Sequence, residues 1–189
     1  MPRAGVTKDR VAEEAEQLAD EVGLESITLA AVAGRLGIKL PSLYKHIDSL
    51  GGLRATVGER ATRELTDVMV RATVGKAGPD AVATLARALR DWAREHPGRY
   101  AATIAAPRVS AGAEPGQVQA AEDAVRVIFD VLAGFGLQGD DAVDATRGLR
   151  AVLHGFVALE AAGGFGMPAD IDRSFDRLLG AYIRSLTAY

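Results

Sequence analysis

Apolar residues recur every three or four positions along almost the whole chain, and this period constrains the fold more than any other feature. Val11, Ala15, Leu18 and Val22 set the pattern, flanked by Ala12 and Ala19. Such spacing puts side chains on one face of an α-helix, whereas a strand alternates at every second residue. It predicts a helix from about Lys8 to Val22, with Thr7 as its N-cap and Gly23 as its stop. A shorter helix follows Thr28, with Leu29, Val32, Ala33 and Leu36 inward and Gly37 at its end. A third begins at Leu40 or Pro41 and buries Leu43 and Ile47. Further helices are predicted at about 49–74, 79–95, 98–105, 117–133, 140–162 and 171–186. The Pro, Gly and Ser content of 107–116 predicts a loop. No strand pattern or fixed-period repeat appears, so the expected fold is all-α with about nine helices.

Composition narrows the chemistry. A chain of 189 residues, 48% hydrophobic and 25% charged, suits one large domain or two small ones with a real core. There is no cysteine, which excludes disulfides, thiolate catalysis and zinc–thiolate sites. No apolar run approaches the length of a membrane span. The opening stretch MPRAGVTKDR lacks the apolar core of a signal peptide, so a cytoplasmic protein is expected. His46, His96 and His154 lie far apart without metal-ligand spacing, and no metal or cofactor is expected.

The net charge of −3 alone speaks against a polyanionic partner, but the charge is unevenly placed. Residues 9–25 hold Asp9, Glu13, Glu14, Glu16, Asp20, Glu21 and Glu25 against Arg10 alone. Residues 35–54 hold Arg35, Lys39, Lys45 and Arg54 against Asp48 alone. Local sign steers a polyanion more than the total does. This basic segment also carries the pattern of a helix-turn-helix. Ala33 is small enough for a close helix crossing, Gly37 can adopt positive φ, and Ile38 and Leu43 are apolar beyond the turn. With Leu43 and Ile47 inward, Lys39, Ser42, Tyr44, Lys45 and His46 cover the outer surface. Their hydroxyl, phenol, imidazole and ammonium groups are donors for phosphate oxygens. The competing reading packs the helix on the next one, with Tyr44 half-buried and His46 bonded to backbone.

The run ITLAAVAGRLGIKLPSLYKHIDSLGGL resembles the DNA-binding domain of the tetracycline-repressor (TetR) family, above all in LY-x-H after the turn glycine. The match covers about residues 7–55, and LRAVLHGFVALEAAGGFG at 149–166 resembles one C-terminal subtype. The resemblance implies a helix-turn-helix domain at 1–52 and an effector-binding and dimerisation domain at 53–189. It implies that Thr28 caps the second helix and touches phosphate. Lys39, Leu40 and Pro41 sit nearest the base edges, Ser42, Tyr44 and His46 hold phosphates, and Lys45 reaches backbone or base. Three positions depart from the family pattern. Lys39 stands where a capping serine is common, Ile47 where an aromatic is common, and Ser49-Leu50-Gly51-Gly52 offers only backbone N–H groups where a lysine often pairs with phosphate.

The resemblance further implies a homodimer on a palindromic double-stranded operator and release from it by a small, mostly apolar effector. The expected dimer surface is Leu153, Val157, Phe175, Leu179, Tyr182, Ile183 and Leu186, in an intermolecular four-helix bundle; a larger monomeric core is the competing reading. Expected pocket residues are Trp92, Tyr100, Ile104, Phe129, Phe135, His154 and Phe156, each of which also suits plain core. Two rival functions stand beside the repressor. One is a helical ligand-binding module without DNA binding. The other is a dinucleotide-dependent enzyme using Gly134, Gly136 and Gly139, whose G-x-G-x-x-G pattern must follow a strand, where the sequence predicts a helix.

Overall fold

Nine α-helices and two 3-10 turns, with no strand, make up the described residues, 5–105 and 114–188 of a computed structural model. They are α1 (Lys8–Val22), α2 (Leu29–Arg35), α3 (Leu40–Leu43), α4 (Leu50–Thr73), α5 (Gly78–Glu95), α6 (Pro97–Ala105), α7 (Pro115–Ala133), α8 (Gly139–Ala161) and α9 (Ile171–Ser185). Apart from α3, which ends at Leu43 and so short of the Ile47 expected on it, helix bounds fall within two residues of those read from the apolar period. Most of the loop expected at 107–116 lies outside the described residues, and Pro115 and Gly116 already belong to α7. None of the described helices is long and apolar enough to cross a membrane.

The chain forms two compact units. One takes in the chain to Arg63 together with His96–Ala121; the other takes in Glu64–Glu95 and the chain from Glu122. Compactness therefore divides the chain differently from a boundary at 52/53, because α6 returns to pack on α1.

The first unit is built on α1. Thr7 Oγ1 accepts the Arg10 N–H at 3.2 Å, and Gly23 closes the helix at φ 87 with its N–H on the Ala19 carbonyl. Val11, Ala15, Leu18 and Ala19 meet Leu24, Ile27, Val32, Leu43, Leu53, Val57 and Ala102 in one core. Gly98, at the start of α6, lies so close to α1 that a Cβ there would stand 1.9 Å from the Ala19 carbonyl oxygen. Beside it the Arg99 N–H and Nε both donate to Asp20, at 2.9 and 2.7 Å, and Arg99 also donates to His96 Nδ1.

The second unit packs α5, α8 and α9 around Leu85, Leu89, Leu149, Leu153, Phe175 and Leu179. Arg90 is buried inside it. Its guanidinium donates to both Glu160 oxygens at 2.8 and 2.7 Å and to Asp172 at 2.7 Å, and lies over the rings of Phe156 and Phe175. Five residues of the expected dimer surface belong to this interior: Leu153, Val157, Phe175, Leu179 and Leu186 are all at most 3% exposed. Tyr182 turns inward too, its hydroxyl donating to the Ala145 carbonyl at 2.5 Å, and Ile183 is half-buried. Their apolar character is used within the protomer. Among the residues that remain exposed are Ala151, Gly155, Ala158 and Leu159 on α8, and Leu178, Ala181 and Ser185 on α9.

The glycines of the rival dinucleotide fingerprint follow α7 and not a strand. Gly136 (φ 74) and Gly139 (φ 56) form the left-handed corners of the α7–α8 turn. The backbone context that would bring a pyrophosphate to a strand-to-helix turn does not exist there.

Candidate nucleic-acid interface

The turn between α2 and α3 is a helix C-cap of the Schellman type. Gly37 takes φ 66, its N–H donates to the Gly34 carbonyl at 3.1 Å, and the Ile38 N–H reaches back to Ala33 at 3.0 Å. Ala33 is 3% exposed at the crossing, as a close approach of the two helices demands. At the other end of α2, Thr28 Oγ1 accepts the Ala31 N–H at 3.2 Å. Its hydroxyl proton remains available to an acceptor outside.

The α3 segment hangs from one apolar anchor. Leu43 is fully buried and Ile47 packs partly against the same core. Lys39 occupies the N-cap position without a side-chain cap bond, which agrees with the missing serine. The α-helix spans only Leu40–Leu43 and continues as hydrogen-bonded turns, with the Lys45 N–H on the Ser42 carbonyl and the His46 N–H on Leu43. Lys39, Leu40, Pro41, Tyr44 and Lys45 are exposed, Tyr44 at 53%; Ser42 and His46 are half-buried. Among the described residues, the side chains of Lys39, Ser42, Tyr44, Lys45 and His46 have no internal hydrogen bond or ion pair. The competing reading, with Tyr44 half-buried and His46 tied to backbone, does not describe this arrangement.

The electrostatics correct the sequence count. Arg35 and Arg54 stand in the basic segment, yet both turn toward the acids around α1. Arg35 pairs with Glu14 at 3.1 Å and Glu21 at 2.6 Å, and its guanidinium holds the Glu21 carboxyl below the ordinary carboxylate range. Arg54 donates to the Glu25 carboxylate at 2.8 Å and to its carbonyl at 2.6 Å. Lys39 and Lys45 are thus the free cations of that segment. The same pairing explains the acidic run: Glu14 also takes Arg10, Glu16 takes Arg60, and Asp20 takes Arg99.

A further correction concerns the start of α4. Ser49 is not a bystander, because its Oγ accepts the Gly52 N–H at 3.0 Å and caps the helix. Serine before a helical run is a recognised cap signal, so the sequence carried this information. The first N–H groups of a helix have no intrahelical acceptor, and those of Leu50 and Gly51 stay open to an anion.

The expected pocket residues are divided between the two compact units. Tyr100, buried, and Ile104, 40% exposed, belong to the first unit, and the others to the second. Phe156 is taken up by Phe165 and Phe175, at ring distances of 4.7 and 5.0 Å, and by Arg90. Phe129, Phe135 and His154 are half-buried. Trp92 is buried, and its indole N–H donates to Glu64 at 3.1 Å, an acceptor that sequence reasoning did not single out. The described residues contain no group of three or more His, Asp or Glu arranged to hold a metal ion.

Comparison with known proteins agrees with this geometry. Residues 82–182 match the family described as tetracyclin repressor-like, C-terminal domain. The chain is 38% identical over 160 residues to the uncharacterized HTH-type transcriptional regulator Rv0681 of Mycobacterium tuberculosis, covering 85% of this chain and 72% of that one. It is 31% identical over 186 residues to the uncharacterized HTH-type transcriptional regulator YobS of Bacillus subtilis, covering 98% and 95%. Its fold is similar to that of BioQ, solved with its double-stranded DNA operator, at a TM-score of 0.70 and 19% identity over 98% of this chain and 100% of that one.

Proposed function

The chain belongs to the tetracycline-repressor family of helix-turn-helix transcriptional regulators, and we propose that it acts as a cytoplasmic homodimeric repressor released from a palindromic operator by a small, mostly apolar effector. That family is one of regulators and not of enzymes. The observation that carries the reading is the outer surface of α3. Five polar side chains there make no internal bond, while Arg35 and Arg54 beside them are committed to α1 and its neighbour. Unsatisfied donors around an apolar tip suit a duplex. Leu40 and Pro41 meet base edges and thymine methyl groups, Lys39 reaches the groove, and Thr28, Ser42, Tyr44, Lys45 and His46 hold phosphates. Residues 1–52 are the DNA-reading part in this proposal and 53–189 the effector-binding and dimerisation part. The dimer forms through the exposed faces of α8 and α9, and effector binding lowers DNA affinity by changing the spacing of the two α3 segments.

Duplex binding by the purified full chain, measured against salt after selection from genomic fragments, tests the reading. Each lysine–phosphate contact contributes about 0.9 to the slope of log affinity on log salt, so Lys45→Ala lowers the slope by about two in a dimer. A ligand-binding module without DNA function would show no salt-dependent duplex binding at all.

A further inference from the structure

Arg54 ties the exit of the helix-turn-helix to its entrance. It stands near the start of α4, and its guanidinium makes two bonds to one residue 29 positions earlier. Nη1 donates to the Glu25 carboxylate at 2.8 Å and Nη2 to the Glu25 carbonyl at 2.6 Å. Its Nε is buried without an acceptor among the described residues, so the polar end of the side chain hangs on Glu25 alone. Glu25 lies in the 3-10 turn Leu24–Ser26, just ahead of the Thr28 cap of α2, with Leu24 and Ile27 buried around it. The pair therefore closes a loop over residues 26–53, which holds α2, the Gly37 turn and all of α3.

Within that loop α3 has few other holds. Among the described residues, the hydrogen bonds of 39–48 stay inside that segment, and Leu43 with Ile47 supply its apolar anchors. Apolar contact is non-directional, so it sets how deep the segment sits but not its angle. Two bonds from a planar guanidinium fix a direction. Stability does not explain the pair, because the Glu25 side chain is 82% exposed and ion pairs of this kind contribute little to folding. Phosphate binding does not explain it either, because the carboxylate neutralises the cation that a phosphate would need.

We propose that Arg54 and Glu25 are positioning residues for DNA reading. They touch no DNA, and they hold α4 against the turn before α2 so that α3 stands at a fixed depth and angle in the groove. The proposal rests on the DNA-reading role of α3 and adds what sets its placement. Without the clamp α3 rides on Leu43 and Ile47 alone. Phosphate attraction then persists, while the contacts of Lys39, Leu40 and Pro41 with base edges blur. The loss falls on preference for the selected site and not on general affinity for duplex. Two rival roles have different signatures. If Arg54 turned to a phosphate on binding, removing it would lower the salt slope by about two in a dimer, about 0.9 for each contact. If only local charge mattered, removing Glu25 would tighten binding, since an acid beside a polyanion repels it.

Fluorescence anisotropy of the full chain tests it, on a duplex selected from genomic fragments and on a scrambled duplex of the same length, over about 50–200 mM salt. Arg54→Met is expected to lower the ratio of selected to scrambled affinity at least about fivefold. Its scrambled affinity should stay within about twofold, and its salt slope within about 0.5, of the wild type. Glu25→Ala is expected to lower the same ratio at least about threefold, although it removes a negative charge. Arg63→Met deletes an exposed cation nine residues further along α4 and is the control, expected to keep the wild-type ratio. Circular dichroism melts check folding, and Glu25→Ala, a change at an exposed side chain, carries the test should Arg54→Met not fold. An unchanged ratio or tighter binding in Glu25→Ala overturns the clamp and leaves DNA reading standing. So does an equal loss on both duplexes, or a slope lowered by about two, in Arg54→Met. A wild-type chain without salt-dependent duplex binding overturns both.

Discussion

Replacing Gly98 by alanine puts one methyl group where the first unit has no room for it. The added Cβ would lie 1.9 Å from the Ala19 oxygen, 2.1 Å from its carbonyl carbon and 2.6 Å from the Asp20 nitrogen. All three are backbone atoms, so no rotamer change relieves the overlap. Restoring an ordinary contact of about 3.4 Å requires α6 to withdraw from α1 by about 1.5 Å. That withdrawal also stretches the 2.9 Å bond from the Arg99 N–H to Asp20 beyond hydrogen-bonding range. Overpacking costs about 1–3 kcal/mol where side chains can adjust, and a rigid backbone contact belongs at the upper end. The lost charge-assisted bond adds about 1.5 kcal/mol. The expected loss is about 4 kcal/mol, which for a chain of this size lowers Tm by about 8–16 °C. Gly34→Ala is the internal control. It sits inside α2 with nothing within 4 Å of the added Cβ, so helix propensity predicts a gain of up to about 1 kcal/mol. Differential scanning calorimetry of both variants reads the contrast. A Gly98→Ala protein melting within about 2 °C of the wild type would refute the seating of α6 on α1.

Other perturbations follow from the same contacts. Arg90→Leu leaves Glu160 with only the distant Arg94, at 3.9 Å, and should cost about 3 kcal/mol in chemical denaturation, whereas Arg87→Leu, which breaks an exposed pair, should cost under about 1 kcal/mol. Glu21→Gln removes a carboxylate whose pKa the Arg35 hydrogen bond lowers in the folded state. A lowered folded value stabilises above the unfolded pKa and is lost as pH falls through the folded one, so wild type and variant should differ in Tm at neutral pH and converge in acid. Tyr44→Ala and His46→Ala should weaken duplex binding across sequences, while Lys39→Ala should shift the selected site; identical selected sites for Lys39→Ala and the wild type would remove the groove role of Lys39.

Much of the secondary structure was legible because helical period, caps and stops are local. Thr7, Gly23, Thr28 and Gly37 cap or stop their helices as their chemistry predicts, since each acts on backbone groups a few residues away. Arg90 was legible only as an oddity, a cation on the same helical face as Val82, Leu85, Ala86, Leu89 and Ala93. A charge on a core face signals a buried partner but does not say which.

The tertiary structure decided which groups are free. Lys39, Lys45, Arg35 and Arg54 counted alike in the sequence, yet Arg35 and Arg54 are bound to acids 14 to 29 residues away. The broad apolar arc of α9 reads equally as interface or core, and packing against α5 and α8 settles Phe175 and Leu179 as core. By itself the sequence determined the helices, the turn and the residues at the tip of α3. It could not determine their availability, because hydropathy specifies that a face is buried and charge specifies that an ion is present, but burial partner and ion-pair distance exist only once the helices are packed.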